Sequence, residues 1–192
     1  MKICSANRGL TGSRALIAIP FLLFSYFSVA QSGYNRLIGI DRYVSEADSL
    51  SFRSQTSFRL TKFLKEDLSY LEHWHYSEER GRIVIFQISY IIDSIEFAEV
   101  YYVDRGKLVC SEEYEKINYS FFEDELRWGG IYYFNGSTPL KMVSLGKRTG
   151  GARRQGMISE DPAGEALNRF KKRYNELLRH LPMLPGKTII SP

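Results

Sequence analysis

The feature that most constrains this chain is a block from His73 to Leu145 in which short aromatic and β-branched runs alternate with turn residues. The runs are His73–Tyr76, Arg82–Ile91, Ile95–Val103, Lys107–Tyr119, Arg127–Phe134 and Leu140–Leu145. Ser77–Gly81 closes the first hairpin. Asp104-Arg105-Gly106 closes a three-residue loop with Gly106 at the left-handed position, and Asn135-Gly136 opens another turn that Pro139 ends. A parallel crossover needs about a dozen residues, so strands joined this tightly must lie antiparallel. The block therefore predicts an antiparallel meander of about six strands.

Helical spacing flanks it. Asn35 can cap a first helix that runs to about Leu50, with Leu37, Ile40, Val44 and Ala47 on one stripe. Leu60, Phe63, Leu64, Leu68 and Leu71 predict a second helix over 57–70. The last helix is the best marked. Asp161 caps it, Pro162 is its first residue, and Leu167, Phe170, Tyr174, Leu177, Leu178 and Leu181 follow at steps of three and four until Pro182 stops it. Arg169, Lys171, Lys172, Arg173 and Arg179 fall mostly in other directions. An apolar stripe of that size must cover something, and a half-solvated antiparallel sheet offers a matching face. The expected fold is α+β: two N-terminal helices, the meander, and a C-terminal amphipathic helix packed on one face, in a single domain over 31–181 with a flexible tail at 182–192.

Residues 1–30 have the three parts of a secretory signal peptide. Lys2, Arg8 and Arg14 are basic with no acid among them, Ala15–Phe27 is an apolar run of thirteen residues, and Ser28-Val29-Ala30 supplies small residues for cleavage before Gln31. A bilayer span takes about 20 apolar residues, and this run is shorter and contains Pro20. The expectation is therefore a periplasmic or secreted protein, cleaved near Ala30, with no stable membrane span afterwards. Cys4 leaves with the leader, so Cys110 has no internal partner and the domain is held by its core. Within an apolar strand, a lone cysteine behaves as a small buried hydrophobe rather than a reactive thiol.

Removing the leader changes the charge argument. The whole chain is +4, but the mature part carries 23 basic and 22 acidic residues. That balance is not the basic footprint that nucleic acid requires. The charges are also segregated: 72–125 holds thirteen acids and five bases, 141–192 eleven bases and four acids. In one domain the two stretches can neutralise each other when they pack together.

Candidate chemistry is sparse. His73 and His75 share a strand face and could point at one metal, but zinc needs three or four placed ligands, and spacing pins neither His180 nor a carboxylate beside them. Two surface histidines around a packing Trp74 is the plainer reading. Gly146–Gly156 is glycine-rich and basic, so Arg153 and Arg154 could hold a phosphate. It lacks the P-loop pattern, and a flexible loop between the last strand and last helix is the plainer reading. Glu112, Glu113, Glu115 and Glu123-Asp124-Glu125 read as solvated edge and turn residues, because alternation sends Glu112 and Glu113 to opposite faces. No GxSxG, HExxH or CxxC occurs. No cofactor is expected.

The aromatic content, 13 Tyr and 12 Phe, sets rings such as Tyr102, Trp128 and Tyr132 on both faces of neighbouring strands. One face must be core; the other could be a binding surface, since Tyr and Trp contribute strongly at interfaces. Glu99-Val100-Tyr101-Tyr102-Val103-Asp104-Arg105-Gly106-Lys107-Leu108 and Trp128-Gly129-Gly130-Ile131-Tyr132-Tyr133-Phe134 carry a pattern of E-x-Y-Y-x-x-x-G-K-L followed by W/F-x-G-x-Y-Y-F. In this the chain resembles small uncharacterised secreted or periplasmic proteins of Gram-negative bacteria. The resemblance implies an envelope or secreted location and an antiparallel sheet with helices, and it brings no activity.

The functional expectation is a non-enzymatic binding module for another macromolecule, such as a protein of the cell envelope, through an exposed aromatic face or an edge strand. Tyr102, Trp128, Tyr132, Arg153 and Arg154 are its candidate contacts. Two rivals are a small metal-dependent hydrolase using His73 and His75, and a small-ligand carrier with a pocket between sheet and C-terminal helix.

Overall fold

The computed structural model describes residues 18–65, 68–117, 125–146 and 161–183. It has one N-terminal helix, α1 (Ala18–Arg53). Seven strands follow: β1 (Thr56–Lys65), β2 (Leu68–Glu79), β3 (Arg82–Ile92), β4 (Ile95–Asp104), β5 (Lys107–Ile117), β6 (Glu125–Asn135) and β7 (Thr138–Gly146). The helix α2 (Pro162–His180) and a 3-10 turn, Leu181–Met183, complete it. The strands form one sheet in the order β1-β2-β3-β4-β5-β6-β7, every pair antiparallel. This is the expected meander in an α+β fold, with one strand more and one helix fewer.

The correction falls at 57–70. No second helix forms there: β1 and the start of β2 occupy the segment, paired Phe58 to Trp74 and Leu60 to Glu72. Helical spacing grouped Phe63, Leu68 and Leu71 with Leu60, yet all three are exposed. Phe58, Leu60 and Lys62 alternate inward with period two instead. A short apolar run cannot be assigned by periodicity alone, and pairing with a neighbouring strand decides it. The first helix also begins earlier than Asn35, and it continues to Arg53.

The hairpins are tighter than the sequence indicates. Arg80-Gly81, Asp93-Ser94 and Arg105-Gly106 are two-residue turns with positive φ at both positions. That twist matches the right-handed twist of the flanking strands. Gly106 takes the left-handed position as expected (φ 76°), but Asp104 belongs to β4 rather than to a three-residue loop.

The chain divides into a unit up to Gly39 and a unit from Ile40 onward. Among the described residues the first is the N-terminal part of α1. The second contains the rest of α1, the sheet and α2. Within it, α2 lies across one face, with Asp161 capping the helix by accepting from the Gly164 N–H at 2.8 Å. Phe170 and Tyr174 pack over Phe86, and Phe170 also over Tyr101. Trp74, Phe86, Ile88, Tyr101, Tyr132 and Phe134 form the floor of that layer, with Ala166, Phe170 and Leu177 its roof. Burying one such side chain contributes roughly 1.5–3 kcal/mol. On the other face, Ile40, Tyr43, Val44 and Ala47 of α1 cover Ile85, Val100, Tyr102, Cys110 and Ile131. No helix among the described residues is long and apolar enough to cross a membrane.

Candidate functional site

The centre of the sheet is closed by charge as well as by apolar packing. Glu72, Glu99, Glu113 and Glu115 are all buried on the face that α2 covers. Glu99 and Glu113 stand directly opposite each other on β4 and β5, which like charges resist. Arg173 answers them: its Nη1 donates to Glu72 at 2.8 Å and its Nε to Glu99 at 3.1 Å. Four residues earlier, Arg169 donates to Glu113 at 2.8 Å. Trp74 Nε1 donates to Glu72 at 3.0 Å and the Tyr101 hydroxyl to Glu99 at 2.9 Å. Burial opposes the Arg173 charge, but Glu99 and Glu72 more than offset it and hold its pKa above the usual arginine range. Burial and Glu99 likewise push the Tyr101 hydroxyl well above the tyrosine range. The acidic middle and basic end of the sequence do neutralise each other here.

Glu113 and Glu115 therefore are not solvated edge residues, and Arg169 and Arg173 face the sheet. The signal for this was present in the strand parity. Tyr70, Glu72, Trp74 and Tyr76 alternate on one face, as do Phe97, Glu99 and Tyr101, so each carboxylate is flanked by inward aromatics. A fully desolvated carboxylate needs a cation, and Arg169 and Arg173 lie beside Phe170 and Leu177 on the helix that covers this face.

The expected site residues do not converge. Tyr102 is buried on the α1 side, where its hydroxyl donates to Asp48 at 3.0 Å. Trp128 and Tyr132 are buried on the α2 side. The Trp128 indole folds back along β6 so closely that a Cβ at Gly130 would meet it at 2.8 Å, which explains the glycine two residues on. Arg153 and Arg154 lie outside the described residues. His73 and His75 do share a face of β2, between Arg59 and Ser57 of β1 and Ser89 and Gln87 of β3. His75 Nδ1 shares a 2.7 Å hydrogen bond with Ser57 Oγ. Burial, and then His73, lower the pKa of His75. Among the described residues no group of three metal-ligating side chains forms. Cys110 is buried, and burial followed by Glu112 pushes its thiol far above the cysteine range, as an inert core residue requires.

What the sheet leaves open is an edge. Gly136 (φ 64°) turns the chain from β6 into β7, and Pro139 sits near the strand start, where an edge tolerates it. All nine residues of β7 are exposed. Leu145 is 68% exposed, Val143 44%, Met142 42% and Leu140 37%. Val143 pairs with Ile131 and Leu145 with Gly129, so both continue the apolar surface of β6 outward. The single charge, Lys141, leans back over the Tyr133 ring. Among the described residues β7 pairs with β6 alone, and the outer side of an edge strand is the template for adding a strand. Compared with protein families, curated proteins and solved structures, the chain matches none.

Proposed function

We propose that this chain is an exported, non-enzymatic binding module of the cell envelope or extracellular space, and that it takes an extended segment of another protein alongside β7. The observation that carries this reading is the edge itself: nine exposed residues, four of them large and apolar, with one charge. Backbone pairing would supply affinity, and the exposed side chains of Leu145, Val143 and Met142 would supply selectivity. Export is supported by the leader pattern of residues 1–30. A cut after Ala30 also spares Ile40, Tyr43, Val44 and Ala47, the described α1 residues that pack on the sheet.

The test is site-specific photo-cross-linking from position 142 in cells that export the protein, with the cross-linked peptide sequenced. The reading expects one partner segment without proline, joined through β7 and lost in Leu145→Lys. A cross-link to a second copy, or equal cross-linking from Phe63 on β1, would contradict it. Intact mass of the exported protein should give Gln31 as its first residue; Met1 would remove the export half of the reading.

A further inference from the structure

An open cleft of about 450 Å³ lies where the last turns of α2 pass two neighbouring hairpin turns. That volume is within the ~300–1,000 Å³ range of small-molecule sites. Its lining is of two kinds. Ile83, Leu178 and Leu181 are apolar, while Arg82, Arg105 and the Tyr174 hydroxyl bring hydrogen-bond donors.

The sheet brings the two arginines to one level. Ile85 pairs with Tyr102, and three residues further toward the turns stand Arg82 and Arg105. Both arginines line the cleft, and an anion held between two guanidinium groups is attracted by both. Arg82 has no ion pair among the described residues, and Arg105 meets only Asp104, at 3.8 Å with both side chains largely exposed. Glu78 lines the cleft with them, and Glu79 stands opposite Arg82 across the β2–β3 pair. Arg105 also sits at φ 49°, the first position of a turn that suits Asn or Gly better. Tyr174 reaches the same turn, its hydroxyl 3.9 Å from where a Gly106 Cβ would be.

We infer that this cleft binds an amphipathic organic carboxylate, with the carboxylate between Arg82 and Arg105 and the hydrocarbon part on Ile83, Leu178 and Leu181. Guanidinium forks match a planar carboxylate in two-pronged hydrogen bonds, and the Tyr174 hydroxyl is a third donor. An inorganic anion would leave the apolar half unused. The cleft shares no residue with β7, so its ligand and the strand partner can be tested apart.

The experiment is calorimetric titration of the full mature chain with decanoate below its micelle concentration. Parallel titrations use 1-decanol and a leucine-terminated tripeptide with a free or amidated C-terminus. Decanoate is expected to saturate one site, with 1-decanol at least about tenfold weaker because the charged hydrogen bonds are gone. Whichever free acid binds better, fatty or peptide, identifies the source of the carboxylate. Arg82→Ala and Arg105→Gly should each weaken decanoate about tenfold, while the melting temperature of Arg105→Gly stays level or rises, because glycine suits φ 49°. No saturable binding up to millimolar decanoate, equal binding of 1-decanol, or an Arg82→Ala/Arg105→Gly double variant of unchanged affinity would overturn the inference.

Discussion

The two edges of this sheet are built differently. At β1, Phe58 stacks on Trp74 at 5.5 Å and lies 6.0 Å from the His180 ring, and Lys62 is ion-paired to Glu176 of α2. Arg59 faces solvent from the same strand. The end of α2 thus holds β1 down, and charge discourages a further strand, which is how sheets protect an edge. At β7 there is one lysine, and all nine residues are exposed. One rim is tied to α2 through Phe58 and Lys62, while the other carries exposed apolar residues and a single charge. That difference is why the proposed contact is β7 rather than the aromatic faces, which the helices cover.

The largest expected effect tests the tie to α2. Arg173→Met leaves Glu72 and Glu99 buried without their cation, which should cost about 3–5 kcal/mol of stability in urea unfolding. Replacing Glu99 by Gln in the same chain should recover part of that loss, because the two residues share one network. Additive losses would mean that the ion pairs do not hold α2 on the sheet.

A smaller effect concerns the α1 side, where Glu112 accepts from the Tyr114 hydroxyl. Burial raises the Glu112 pKa above the usual carboxyl value. A carboxyl raised on folding gives stability that is present below its unfolded pKa and is lost as pH rises through the folded one. Glu112→Gln should therefore raise the urea midpoint at neutral pH, with the gain vanishing near pH ~4. A midpoint that falls at neutral pH would show the carboxylate to be stabilising there.

The smallest effect is at the open rim. Leu145→Lys should shift stability by no more than about 0.5 kcal/mol, as exposed substitutions do, while abolishing capture of a strand partner. A loss of several times that size would mean that Leu145 is packed within the fold.

Much of this architecture was legible in the sequence, because its signals are local. Hairpin turns at Gly81, Gly106 and Gly136, and the Asp161-Pro162 start of α2, are fixed by backbone conformations that few residues adopt. The segment at 57–70 was misread because Leu60, Phe63 and Leu68 fit helical spacing equally well, and only pairing with β2 separates the two. The contact edge was harder still. That Leu140, Met142, Val143 and Leu145 are apolar predicts a strand, but their exposure follows from β7 being last in the sheet. Tyr102, Trp128 and Tyr132 looked like contacts by composition and are buried because α1 and α2 cover both faces. The cations under α2 were visible as charge segregation, without their partners being named.

The most direct measurement is residue-resolved amide hydrogen exchange of the purified protein without a partner. If β7 is an open template, those of its amides that do not bond to β6 should exchange within the unprotected time range, while β3, β4 and β5 exchange only through global unfolding. The same β7 amides should slow by orders of magnitude when the strand partner binds. Protection of all β7 amides to the level of β3 in the free protein would contradict the account, since the rim would already be covered.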